Sequence, residues 1–486
     1  MIASPLSYPV PVPVELPTPS TGDLTRRALR TVGAFGAHLS PPVFRRLAKQ
    51  DQTGSMALAT AMRSAFDDLG ATYLKVGQVV ASSAGIVGEE TASVFRSCLD
   101  TGPVVPFSVV RAAVERDLGR PLDEVFASFE PEPVGRASLA VVHRAALRDG
   151  RDVAVKVLRP GIEATVAADL ALMHPLLGFL SNSLAIEAAG SIHTVVDGLR
   201  QQLLEELDLR NELLTMEHHR QLLARDGVAE IVIPRPWPEA SSRRVLTMEF
   251  LDGVAVDHQS VVDGRGAEVA SAMAALVRWW FTSAVRDGTF HGDVHAGNVL
   301  ALPNGRLGLL DWGIVGRLDG DAHAFFRNVV EASLGNEGAW DAIAAFVVRV
   351  YGPQVSDSMG VTPDQLPDVF RAAFRPLLTA PFSSFRLADL MQTMGSQMNT
   401  AATRDRPKPS LADSFRHWLE LRRQRQVAVD HGGLDTDLNR AMMLLVKQLV
   451  YFDRYGHLLL NDQALLDDPS FYAALLAEAP LVVRGS

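Results

Sequence analysis

One cysteine, Cys98, stands in 486 residues. That excludes an internal disulfide framework and any cysteine-built metal cluster, and it fits a reducing compartment. A basic excess is also missing: 46 Lys+Arg face 56 Asp+Glu for a formal charge of −10, so no general attraction draws the chain to nucleic acid or anionic lipid. The amino terminus lacks the basic residues and continuous apolar core of a signal peptide, and prolines 5, 9, 11, 13, 17 and 19 oppose a helix there. Residues 1 to about 23 read as a disordered or extended lead. Long hydrophobic runs are missing as well. The most apolar late stretch, Ala441 to Leu460, carries Lys447, Gln448, Asp453 and Arg454, whereas a membrane span needs roughly 18–20 residues almost free of charge. The expectation is a cytoplasmic protein whose membrane contact, if any, is peripheral.

With 47% hydrophobic residues the chain can bury a sizeable core, and at about 100–200 residues per domain it has room for two to four domains. Residues 24 to about 100 show helical spacing, with Leu58, Met62, Ala65, Phe66, Leu69 and Tyr73 recurring at threes and fours. The register breaks near Pro103 to Phe107, and a helix follows near Val109 to Leu118. Val141 to Leu147 and Asp152 to Leu158, joined by Arg148-Asp149-Gly150, read as a hairpin; Glu230 to Pro234 and Arg244 to Phe250 read as two more strands. Beyond Ala267 the pattern is helical apart from one hairpin, Asn298 to Leu302 with Arg306 to Leu310. This predicts an α+β chain: a lead over 1–23, a helical extension over 24–120, a sheet-bearing lobe with inserted helices over 121–253, and a large helical lobe over 254–486.

The chemistry concentrates in His291-Gly292-Asp293-Val294-His295-Ala296-Gly297-Asn298 and, across the short hairpin, Asp311-Trp312-Gly313. An Asp and an Asn at this separation, followed by a second Asp before a glycine, is the spacing of a phosphotransferase catalytic loop. One carboxylate must sit beside the attacking group, and hard oxygen ligands must hold the metal that bridges the phosphates. Asp293 takes the first role, Asn298 and Asp311 the second. A zinc site is disfavoured because His291 and His295 have no third ligand of suitable type nearby, and His291 is expected to brace the loop. Trp279 and Trp280, in an apolar helical run, are expected in the core.

Such chemistry also needs a cation on the phosphates. Lys156, in the strand Val153-Ala154-Val155-Lys156, is the candidate, and a buried lysine needs an acidic partner. The stretch Gln201 to Glu212, read as one helix, offers Glu205, Glu206, Asp208 and Glu212. No G-x-G-x-x-G precedes the lysine strand. In its place stands Pro133-Val134-Gly135-Arg136-Ala137-Ser138-Leu139-Ala140, and Cβ atoms there keep a loop from flattening on phosphates as a glycine-rich one does. Only Ile314 to Leu318 follow the Asp-Trp-Gly in a recognisable way, with no A-P-E element. An ordinary protein kinase is disfavoured.

These residues resemble the UbiB/AarF (ADCK) family of atypical kinase-like proteins. The matching features are Lys75-Val76-Gly77-Gln78 as K-x-G-Q, Ala137-Ser138-Leu139-Ala140 closing the Ala-rich loop, and Val142-His143. Val153 to Lys156, Glu206-Leu207-Asp208 as E-x-D with Glu212 after it, the Asp293/Asn298 loop and Asp311 to Gly316 complete the set. The match runs from about residue 55 to 320. The resemblance implies a protein-kinase-like bilobal fold with the K-x-G-Q helix over the active site. It implies ATP and Mg²⁺ as cofactors, with Val134 to Ser138, Val142, Lys156, Glu249, Leu251, Lys75 and Gln78 around the nucleotide. It also implies Lys156 paired with Glu206, Asp293 as base, Asn298 and Asp311 on Mg²⁺, and work on or near an isoprenoid lipid or quinone precursor.

Three departures qualify it. Gly135-Arg136-Ala137-Ser138 replaces Ala-Ala-Ala-Ser, Trp312 replaces the usual Phe, and the carboxy-terminal membrane helices of quinone-linked members are not seen. Arg422-Arg423-Gln424-Arg425 either touches lipid headgroups or is a solvated helix face. Two alternatives stay open beside the ATPase or kinase: a nucleotide-binding regulatory module with little turnover, and a small-molecule phosphotransferase similar to aminoglycoside phosphotransferases.

Overall fold

The computed structural model describes residues 14–39, 52–81, 89–95, 104–183, 199–352, 355–356, 361–384, 436–460 and 462–478. Cys98 and the Arg422 to Arg425 run lie outside them. Helix α1 (Thr21–His38) already begins inside the stretch assigned to a disordered lead: Ser20 Oγ accepts the Asp23 N–H at 3.1 Å and caps the first turn. The single periodic run from Leu58 to Tyr73 is two helices, α2 (Gln52–Leu69) and α3 (Ala71–Ala81), because Gly70 at φ +84° turns the chain between them. With α4 (Glu89–Phe95) they enclose Phe66, Tyr73 and Phe95 in a small core of their own. Arg27 ties this extension to the body. Its guanidinium donates to Asp169, on the helix that begins at Ile162, at 2.8 Å and to the Leu69 carbonyl at 2.7 Å.

Helix α5 (Phe107–Leu118) packs against a four-stranded antiparallel sheet, β1 (Phe126–Arg136), β2 (Ala140–Leu147), β3 (Asp152–Leu158) and β5 (Val245–Glu249), in the order β1-β2-β3-β5. Val110, Val114, Val141, Val153, Val155 and Val245 fill the space between. The hairpin predicted at 141–158 is therefore present. Strand β1, which the sequence pattern does not predict, runs through Val134-Gly135-Arg136, so only Ala137 to Leu139 turn above the lysine strand. Helix α6 (Ile162–Ser183) and helix α7 (Leu209–Asp226) follow, separated by the short helical residues 199–206, and the two-residue strand β4 is Ile231–Val232.

The second lobe is built around α8 (Gln259–Thr282), whose Trp279 and Trp280 are buried as expected. Strand β6 (Val254–Ala255) joins the hairpin β8 (Val299–Ala301) and β9 (Leu307–Leu309), and β9 also pairs with β4. A second small sheet pairs β7 (Thr289–His291) with β10 (Val315–Arg317) and so holds the two chemical segments side by side. These three-residue strands are too short to leave a periodic signal, and the expectation of one hairpin beyond Ala267 is corrected by them. Helices α9 (Gly320–Ser333), α10 (Gly338–Tyr351), α11 (Leu366–Thr379), α12 (Thr436–Leu459) and α13 (Pro469–Glu478) complete the lobe. The result is the α+β, bilobal kinase-like arrangement with a helical extension. No helix among the described residues is long and apolar enough to cross a membrane.

Candidate active site

Lys156 lies on β3 opposite Val142 of β2, with its ammonium directed away from the sheet's apolar face. Nζ is 2.8 and 3.0 Å from the Glu212 carboxylate oxygens and 3.2 Å from Asp311 Oδ2. Burial works against its charge, but Asp311 and Glu212 outweigh burial and hold it above the ordinary lysine value. Burial raises Glu212 above the usual carboxylate range against the pull of Lys156. The pairing of Lys156 with Glu206 is thus corrected. Residues 201–212 are not one helix: the chain turns at Leu207, and Asp208, extended at φ −125°, accepts the Arg210 N–H at 3.0 Å and starts α7 afresh. Glu212, in the first turn of α7, faces Lys156, while Glu206 ends the preceding helix and takes Lys75 of α3 at 2.9 Å.

The loop after β7 is braced from three sides. His291 Nε2 lies 3.1 Å from the Leu310 carbonyl, and Nδ1 accepts the Asp293 N–H at 3.1 Å. That assigns the single ring proton to Nε2, and burial pushes His291 down to about 4, so the ring is neutral. The bracing role expected of His291 is present. Asn298 Nδ2 donates to the Asp293 carbonyl at 3.0 Å. From α12, Gln448 donates to the Gly292 carbonyl at 2.6 Å and accepts the Val294 N–H at 2.9 Å; the Tyr455 hydroxyl donates to the Val294 carbonyl at 2.7 Å. Lys447 Nζ stands 2.7 Å from Asp293 Oδ1. Burial would raise Asp293, but Lys447 and His295 hold it below the usual carboxylate value.

Asp311 has φ +48°, the sole positive φ at a non-glycine among the described residues. Such backbone is costly for a side chain and persists where the surroundings impose it. Trp312, next in the chain, is held by its ring N–H to the Leu309 carbonyl at 3.1 Å and lies with its ring centre 4.4 Å from His291 and 4.5 Å from His219. Its backbone N–H donates to Glu212 at 3.2 Å. With Trp312 locked inward, Asp311 turns outward and keeps 40% of its side-chain surface exposed. Partial burial would raise its carboxyl, but Lys156 and Lys75 drive it well below the usual range. Asn298, with its amide nitrogen engaged, has its oxygen available. A carboxylate held in its charged form by Lys156 and Lys75 and an amide oxygen fit a hard divalent cation whose remaining ligands would be phosphate oxygens and water.

The turn above Lys156 is held by Arg159, whose guanidinium donates to the Ala137 carbonyl at 3.0 Å, and Ser138 is buried beneath it. Val134 and Arg136 are exposed, and Gly135 lies over Val142, where a Cβ would come 3.5 Å from the valine. Glu249 ends β5, its N–H donating to Arg235 O at 2.8 Å, and Leu251 packs beneath Gly308 of β9, so Glu249 to Leu251 link the two lobes. Gln78 is one turn beyond Lys75 on α3. A Cβ on Gly313 would lie 3.1 Å from Asp311 Oδ1, 3.6 Å from Glu206 Cγ and 3.8 Å from Glu212 Oε2. The structure thus gathers Lys75, Lys156, Glu206, Glu212 and Asp311 around one point. Arg159, Lys447, Gln448 and Tyr455 were not picked out. One signal for α12 existed: Gln448 interrupts the buried stripe Ala441, Leu444, Leu445, Phe452, Tyr455, and a buried amide there demands partners.

A family model described as the ABC1 atypical kinase-like domain matches residues 97–339. An uncharacterised aarF domain-containing protein kinase, chloroplastic, of Arabidopsis thaliana is 32% identical over 416 residues, covering 84% of this chain and 73% of that protein. An uncharacterised protein of Mycobacterium tuberculosis is 31% identical over 479 residues, 96% of this chain and 87% of that one. A probable protein kinase UbiB of Marinobacter nauticus is 30% identical over 274 residues, 55% of this chain and 50% of its own.

Proposed function

The chain belongs to the ABC1 atypical kinase-like family, and on that premise we propose that it is an ATP- and Mg²⁺-dependent ATPase or small-molecule kinase acting in isoprenoid lipid or quinone metabolism. The observation that carries this reading is Lys156 held between Glu212 and Asp311 at 2.8 and 3.2 Å. ATP enters between the lobes, its adenine bonding the backbone near Glu249 to Leu251. Lys156 holds the α and β phosphates under the Ala137 to Leu139 turn. Mg²⁺, when bound by Asp311 and Asn298, neutralises charge on the phosphates. Asp293 orients the acceptor hydroxyl or water and takes its proton as the oxygen bonds to the γ-phosphorus and the bond to the bridging oxygen breaks, leaving ADP.

The Lys75–Glu206 pair favours a second reading. It brings α3 of the extension against the same cleft, 2.9 Å from Nζ to carboxylate, which suits a nucleotide-binding regulatory module with little turnover. Calorimetry of ATP with and without Mg²⁺, followed by phosphate release with and without lipid vesicles or a quinone-like phenol, separates the two. Mg²⁺-dependent binding with stimulated release is expected. Tight binding without release favours the regulatory module, and no binding removes both.

A further inference from the structure

Between His291 and Asn298 the catalytic loop carries no lysine or arginine. The cation beside Asp293 comes from α12, far downstream in the chain. Lys447 Nζ sits 2.7 Å from Asp293 Oδ1, and the two side chains are only 19% and 16% exposed. His295 Nε2 stands 3.9 Å from the other oxygen, Oδ2. Neither contact is an accident of a loose surface, because the same helix grips the loop backbone on both sides of Asp293 through Gln448 and Tyr455. At its beginning α12 is anchored by Arg440, whose two nitrogens meet the buried Glu205 carboxylate at 2.8 and 2.6 Å.

A carboxylate that receives a proton must present one oxygen to the acceptor hydroxyl, and a small misplacement of that oxygen costs about 10²-fold in rate. Free to rotate, the Asp293 carboxylate would swing its plane and carry both oxygens off the line to the acceptor, and the 2.7 Å contact of Lys447 with Oδ1 fixes that plane. We propose that Lys447 is a positioning residue for phosphoryl transfer: by holding Oδ1 it presents Oδ2 of Asp293 to the acceptor. This rests on Asp293 being the proton acceptor. It makes the last long helix a working part of the site, and it gives Lys447 a purpose distinct from the backbone grip of Gln448, which needs no charge.

The test uses the full chain, Mg²⁺-ATP and initial rates of phosphate release. Lys447→Met is expected to lower kcat about 10–100-fold while KM for ATP stays within about twofold, because nothing that holds the nucleotide has changed. Lys447→Arg, which keeps the charge, should recover much of the loss; where Lys447→Met folds poorly, the Arg variant and Lys447→Gln carry the comparison. In an Asp293→Asn background Lys447→Met should cost no more than about twofold further, since a residue that acts through another has nothing left to act on. Near-wild-type kcat for Lys447→Met beside a slow Asp293→Asn enzyme overturns the positioning role alone, as do losses that multiply in the double variant. A wild-type protein with no turnover, or an Asp293→Asn variant as fast as wild type, overturns the phosphotransfer reading itself.

Discussion

The Lys156 ammonium meets both oxygens of Glu212, at 2.8 and 3.0 Å, while Glu206, two residues before the Asp208 cap of α7, belongs to Lys75. Two lysine–glutamate pairs therefore stand side by side, and they make different predictions. Glu212→Gln removes a buried counter-charge from Lys156 and should both weaken nucleotide binding and lower stability by about 1–3 kcal/mol. Glu206→Gln releases only α3 and should leave ATP affinity equal or tighter. Calorimetry on both variants checks this; equal weakening would return Glu206 to the phosphate end of the site. Lys156→Ala should abolish measurable binding.

Asp311 and Lys156 share a 3.2 Å contact, so removing the carboxylate has two separable effects. Asp311→Asn should weaken Mg²⁺-ATP selectively, because the metal loses its one charged protein ligand while Lys156 keeps Glu212 and can still meet phosphate. Binding of metal-free ATP should change little. Equal losses with and without Mg²⁺ would argue that Asp311 only tunes the lysine.

Gly316 lies against the ring of Phe290, where a Cβ would be 2.0 Å from Cζ. The ring is fully buried and packs on Trp280 at 4.9 Å, so it has nowhere to retreat. Gly316→Ala should cost about 3 kcal/mol by overpacking, seen as a clear drop in the melting temperature. Gly33→Ala in α1 meets nothing within 4 Å and should instead stabilise by about 0.5–1 kcal/mol through helix propensity. Equal effects at the two positions would contradict the packing between β7 and β10.

How much of this was legible depended on range. Lys156, Asp293, Asn298 and Asp311 announce themselves by residue type at short spacing, and the 141–158 hairpin by strict alternation. Which glutamate meets Lys156 could not be read, because Leu207 breaks the helix only through the capping choice of Asp208, and helical spacing alone runs on through it. Lys447 was visible solely as a charge that spoils a membrane span; its contact with Asp293 is made by the tertiary fold. The β7 and β10 strands are held by each other rather than by local preference, so three residues of sequence carry no sign of them.

His291 offers a test in which protonation and folding are linked. Its Nε2 proton goes to the Leu310 carbonyl, and its Nδ1 is already taken by the Asp293 N–H, so a second proton has no place without breaking the loop. In the folded protein burial lowers the group to about 4, against about 6.5 in an unfolded chain. Below pH 6.5 the unfolded state therefore takes up a proton that the native state refuses. The contribution of the neutral ring is fully present above about pH 6.5 and is lost as pH falls toward 4, at about 1.4 kcal/mol per pH unit. Other groups, Glu212 among them, titrate in the same region with opposite sign, so the readout is a difference. His291→Gln should be less stable than wild type at pH 7.5, and the gap in unfolding free energy should narrow steadily between pH 6.5 and 4. A gap that stays constant across that interval would mean the imidazole titrates alike in both states, and the neutral, singly protonated ring that braces the loop would have to be abandoned.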